Sequence, residues 1–128
     1  MLQPRKKLSP IFHHNAVMTR ETLLDFFDER FRSNAEFLIH VDEYRVRRYS
    51  YAVVRLRAGE FADRLSAAGV NAGDKVLFWG ENRPEWLMAF WGCLLRGVVV
   101  VPVDYRASGN FLQRVGRLVN ARVLLIGD

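Results

Sequence analysis

Two polar stretches in this chain carry residue types that could hold a ligand, and each directly follows an apolar run. Gly80-Glu81-Asn82-Arg83 comes after Lys75–Trp79 and before Pro84, where a helix can open. The carboxyl end of a strand in an α/β sheet is where ligands sit, and an amide beside a guanidinium there can hydrogen-bond an anion or a nucleotide. The simpler reading is that Asn82 caps the helix and fixes the loop. Asp104-Tyr105-Arg106 follows the next apolar run in the same way. A lone carboxylate with no paired acid and no positioned histidine is a poor acid–base device, so a salt bridge or loop packing is preferred.

The remaining chemistry-bearing residues are weaker candidates. Phosphate loops need closely spaced glycines after a strand. Gly69-Val70-Asn71-Ala72-Gly73 has the glycines but follows a helix and precedes a strand, so it reads as a turn at the wrong end of the sheet. His13 and His14 are adjacent, project differently and have no further ligand at metal spacing. His40 reads as a buried or edge strand histidine. Cys93 lies among the apolar residues of a helix and reads as a small hydrophobe. Arg45, Arg47 and Arg48 with Tyr44, Tyr49 and Tyr51 mix basic and aromatic residues as single-strand nucleic-acid binders do. Charge guarding a strand edge is the commoner use of that pattern.

These candidates have to be positioned by a chain of 128 residues, half hydrophobic and about a quarter charged, with net charge +5. That is the size and composition of one globular domain. The arginines read as scattered among acids, a solvated mixed surface. The single cysteine excludes an intrachain disulfide and suits a reducing, cytoplasmic setting. No apolar run approaches the roughly 18–20 residues that span a bilayer. Residues 1–18 have no signal-peptide core and are read as a flexible or partly docked lead-in. Residues 19–128 are read as a single α/β unit.

Hydrophobic spacing predicts a helix from Thr19 or Thr22 to about Arg32, with Leu23, Leu24, Phe27 and Phe31 in one stripe and Asp25 outside. Phe37–Val41 and Arg45–Tyr49 form a predicted hairpin around Asp42-Glu43-Tyr44. Ser50 caps a predicted helix to about Ala68, ended by Gly69. Lys75–Trp79, Val98–Val101 and Arg122–Ile126 lack alternation and are predicted to be strands covered on both faces. Between them lie predicted helices Pro84–Arg96 and Ser108–Asn120, the second with Phe111, Leu112, Val115, Leu118 and Val119 inward. The expectation is an α/β fold: a layered parallel sheet with right-handed crossovers, flanking helices and an N-terminal antiparallel hairpin.

The order Gly69-Val70-x-x-Gly73-Asp74-x-Val76, then Asn82-x-x-Glu85, then Ala89, Gly92 and Gly97-x-Val99-x-Val101-Pro102, resembles the N-terminal region of the adenylate-forming (AMP-binding) enzymes, the acyl-CoA synthetase and fatty-acid–CoA ligase group among them. Tyr49-Ser50-Tyr51 resembles that family's entry into its long helix, and Ala121–Ile126 the strand that follows. The likeness spans about Thr22 to Asp128. Val98 stands where the family often has Ala, and Arg55 and Arg57 where it often has small or acidic residues.

The resemblance implies a parent enzyme that joins a carboxylate to ATP as an acyl-adenylate and passes the acyl group to a thiol, with ATP, Mg and coenzyme A as cofactors and a fatty acid as substrate. The Ser/Thr/Gly-rich loop ending in Pro-Lys, the adenine-binding aromatic segment, the ribose-binding Asp and the mobile-domain Lys have no counterpart here. No catalytic, cofactor-binding or metal residue is therefore assigned. The chain is expected to be scaffold, inactive alone, with the remainder of the ligase as its partner. Apolar surface cut from its neighbours, with Trp79, Trp86 and Trp91 as candidates, is expected to drive self-association. The rival readings are a standalone nucleotide- or small-ligand-binding module using Asn82, Arg83 and Asp104, and a nucleic-acid-binding domain using Arg45–Arg57. A receiver-like phosphorylation domain is poorer, since no acidic cluster sits at the strand ends.

Overall fold

The computed structural model of the chain describes residues 21–127, so Thr19, His13, His14 and the lead-in lie outside the described residues. Helix α1, Leu23–Arg30, starts at a reciprocal cap. The Thr22 hydroxyl accepts from the Asp25 backbone N–H at 3.2 Å, and the Asp25 carboxylate accepts from the Thr22 N–H at 2.9 Å. Asp25 thus holds the helix start. Leu23 and Leu24, expected in the buried stripe, are exposed. They belong to the first turn, and the cluster that buries α1 reaches it only at Phe27 and Phe31.

Strands β1, Glu36–Val41, and β2, Val46–Ser50, form an antiparallel hairpin that is a sheet of its own. Asp42 shapes its turn, its carboxylate accepting from the N–H groups of Tyr44 and Arg45. Ser50 caps α2, Tyr51–Ala67, by accepting from the Val53 N–H. Then come β3, Lys75–Trp79; α3, Pro84–Leu95; β4, Val99–Val103; α4, Gly109–Val119; and β5, Val123–Ile126.

The three later strands are parallel in the order β4-β3-β5. β3 is central, so Val76, Leu77 and Phe78 are all buried. The edge strands differ from expectation. In β4 the strand runs through Pro102 to Val103, since an edge strand needs no donor on its outer side. β5 alternates between half-buried and exposed residues because its far side has no neighbour among the described residues. Successive crossovers run in opposite directions across β3, and right-handedness puts α3 and α4 on opposite faces. On α4 only Leu112 is buried, whereas Phe111 and Leu118, expected inward, are exposed.

Two cores meet at α3. Toward the sheet, Ala89 and Cys93 pack with Leu65, Val70, Val76, Phe78 and Val98. Toward α1, Met88 and Trp91 pack with Phe27, Phe31, Val54 and Ala58. Trp91 is therefore core rather than exposed surface, its ring 5.0 Å from those of Phe27 and Phe31. The α2–α3 crossing is closest at Gly92, where a Cβ would lie 2.7 Å from the Ala58 carbonyl oxygen and 2.8 Å from the Phe61 ring. Gly92→Ala is expected to lower stability by about 1–3 kcal/mol through overpacking, measured by urea unfolding. Gly59→Ala on α2, where nothing lies within 4 Å of the added carbon, is expected to raise it by about 0.5–1 kcal/mol.

Candidate functional site

A groove of about 720 Å³ opens at the carboxyl ends of β3 and β5, on the α2–α3 face of the sheet. α3 covers the β3–β4 side, so the strip over β5 stays open between helices and sheet. Phe61 of α2, Trp86 and Ala89 of α3 and Leu125 of β5 give it an apolar floor. Trp86 stacks on Phe90 at 5.8 Å and meets Phe78 edge-on at 5.2 Å, which fixes its ring. Trp79 also lines the groove, and its buried indole N–H has no hydrogen-bond partner.

The rim is charged but internally matched. Arg57 lies 2.9 Å from Glu60, and Arg83 lies 3.7 Å from Glu81. The Arg64 guanidinium sits 5.9 Å over the Phe61 ring. Among the described residues no three His, Cys, Asp or Glu side chains are grouped as a metal site. With glutamates beside two of its arginines and Glu85 in the first turn of α3, this rim does not fit a nucleotide triphosphate with its metal. The groove suits an apolar or amphipathic occupant.

The loop predicted from sequence is divided by the structure. Glu81 and Arg83 line the groove, whereas Asn82 does not. Nor does Asn82 cap α3: the N-cap is Arg83, with no side-chain cap bond, and Pro84 follows it in the first turn. Proline removes one of the N–H groups a cap would serve. Asp104 stands apart from the groove and is bound by its own loop, accepting from the Arg106 N–H at 2.8 Å and pairing with the Arg106 guanidinium at 3.4 Å. Gly69 and Gly73 have φ of +73° and +84°, the left-handed geometry of a turn.

His40 faces Arg47 across the hairpin, half-buried, with its Nδ1 lacking a partner. Arg47 reaches Asp42 at 3.4 Å and Glu85 at 3.5 Å, tying the hairpin to the start of α3. Arg48 pairs with Glu36 and Arg55 with Asp28. Together with the Arg57–Glu60 pair, these bonds give most of the basic stretch carboxylate partners. Cys93 is fully buried, and burial pushes its thiol up to about 12. The apolar floor of the groove was not found from sequence because Phe61, Trp86 and Leu125 come from three separate elements and each reads locally as core.

Three carboxyls sit below their ordinary range: Asp25 through the Thr22 hydroxyl and nearby backbone N–H groups, Asp42 first through the Tyr44 N–H, and Asp104 through the Arg106 N–H and guanidinium.

A family model for the AMP-binding enzymes matches residues 27–128. Over 57 residues the chain is 39% identical to a feruloyl-CoA synthase from Amycolatopsis, covering 44% of this chain and 12% of that protein. Over 72 residues it is 35% identical to long chain acyl-CoA synthetase 8 of Arabidopsis thaliana, covering 56% of this chain and 10% of that one. The crystal structure of a fatty acid AMP ligase from Legionella pneumophila superposes with a TM-score of 0.75 at 25% identity, over 84% of this chain and 20% of that one. The chain thus spans between a tenth and a fifth of the length of these relatives.

A depressed carboxyl adds stability above its unfolded value and loses it as pH falls toward its folded value. Thermal stability is therefore expected to drop as pH falls through and below the ordinary carboxylate range. Asn at positions 25, 42 and 104 together should make that drop shallower, as read by melting curves. The Cys93 thiol is expected to resist alkylation in the native chain and to react once it is unfolded in denaturant.

Proposed function

The chain belongs to the AMP-binding enzyme family, and from that premise we propose that it is the opening scaffold of an ATP-dependent acyl-CoA ligase. The observation that carries this reading is the span of the match, nearly the whole of the described chain against a small share of each relative. On this reading the full enzyme uses ATP, Mg and coenzyme A, acts in the cytoplasm, and takes a fatty acid. The acyl-CoA synthetase of Arabidopsis and the fatty acid AMP ligase of Legionella support that substrate, while feruloyl-CoA synthase marks an aromatic acid as the rival. Among the described residues no helix is long and apolar enough to cross a membrane.

The present chain supplies scaffold rather than chemistry. Among the described residues, the rim arginines Arg57 and Arg83 lie beside glutamates and the Cys93 thiol is buried. In a pyrophosphate-exchange assay with ATP, Mg and a panel of fatty and aromatic acids, the isolated chain should give no exchange above the blank. Exchange that depends on the acid and saturates would sink this reading.

The second reading, a standalone small-ligand module, is favoured by the open groove alone. It predicts saturable binding weakened by Arg83→Ala and untouched by Asn82→Ala. The third, nucleic-acid binding through Arg45–Arg57, has to work with a stretch whose arginines mostly hold carboxylates already.

We further propose that the isolated chain self-associates, through the open edge of β5 together with the half-buried Trp79 and Trp86, Trp91 being core. Val123–Ile126 carries no charge or proline to guard its open edge, and Leu124 and Ile126 are exposed. Light scattering should give a mass above the 14.8 kDa of one chain, returning to one chain in Leu124→Lys. A monomer at high concentration would contradict it.

A further inference from the structure

Helix α4, on the side of the sheet away from the groove, sits in a stretch whose composition is unlike the rest of the chain. From Tyr105 to Gly127 the chain carries Arg106, Arg114, Arg117 and Arg122 and no Asp or Glu, so here the arginines are not mixed with acids. Arg106 and Arg122 are answered from outside that stretch, by Asp104 and Asp74. Arg114 and Arg117, both exposed on α4, have no carboxylate within ion-pair distance among the described residues.

The same helix exposes apolar residues. α4 turns Leu112 into the protein and half-buries Val115 and Val119. Phe111 is 41% exposed and Leu118 is 84% exposed. Seven positions apart, they lie one above the other at two turns' separation, flanking the buried stripe. Arg114 sits between them, its guanidinium 5.6 Å from the Phe111 ring. The helix therefore presents an apolar line bordered by unmatched positive charge.

We propose that the outer face of α4 docks on an anionic lipid bilayer, with Phe111 and Leu118 entering the boundary of the acyl chains and Arg114 and Arg117 at the headgroups. An amphipathic helix lying in the interface uses this division of labour: apolar side chains bury by a few ångströms while basic ones meet anionic lipid. A polynucleotide would use the arginines but gain nothing from Leu118, and the Phe111 ring it would stack on is already met by Arg114. An acidic peptide would find the same charges on a convex helix, with no groove for its own side chains. The surface is separate from the groove and from the β5 edge, so its failure would leave the ligase reading and the self-association reading standing.

The test is flotation of the 128-residue chain with lipid in large excess, comparing phosphatidylcholine vesicles with ones containing about 30% phosphatidylglycerol. The chain should float with the anionic vesicles, less so as salt rises, and stay behind with pure phosphatidylcholine. Arg114→Gln with Arg117→Gln should weaken binding about fivefold for each arginine removed. Leu118→Ser should weaken it by roughly tenfold. All three positions are exposed, and far-ultraviolet circular dichroism checks that each variant stays folded. Four results would overturn the proposal: no flotation, equal flotation with both lipids, unchanged binding in either variant, or binding to polyglutamate or polynucleotide in place of vesicles.

Discussion

The close crossing of α2 and α3 at Gly92 is the constraint on which the rest of this structure depends. α3 serves two cores at once, and it does so only because one of its faces has no side chain where α2 passes. With the helices that close, Ala89 and Cys93 reach the central strand while Met88 and Trp91 reach α1 from the same twelve-residue helix. Pushed apart there, Trp91 would lose its contacts with Phe27 and Phe31, and the hairpin would lose the cluster that Phe37 and Tyr49 join. Arg47, bonded to Glu85, adds a polar tie between hairpin and α3. Such an exposed pair gives orientation more than energy.

Local features of the fold were legible because their causes are local. Ser50 and Ser108 cap the helices that follow them, and Thr22 with Asp25 closes a third. Gly69 ends α2 in the left-handed region, and β3 was readable to the residue. What failed depends on spatial order. An unalternated apolar run signals burial on both faces, yet among the described residues only β3 has two neighbours, so β4 and β5 share the run without the burial. The expected strand Val98–Val101 stopped short of Pro102, yet β4 runs on to Val103 because a proline at an edge costs no ladder donor. Phe111 and Leu118 carry the helical period of a core stripe, and only the position of α4 over a small sheet shows that the core ends before it reaches them.

The candidate site was half legible. Strand–loop–helix order places Gly80–Arg83 at the ligand end of the sheet, and Arg83 does line the groove there. The division between Arg83 and Asn82 turns on where α3 starts, which Pro84 sets one residue later than a capping asparagine would require. The aromatic floor is a meeting of α2, α3 and β5 with no signature in any one of them.

The reading frame past the codon for Asp128 in the source gene tests the proposed function most directly. The scaffold account predicts an open frame of several hundred codons encoding a Ser/Thr/Gly-rich loop that ends in Pro-Lys. A stop codon immediately after Asp128 would contradict it and make the groove beside β5 the functional site of a self-contained binding protein.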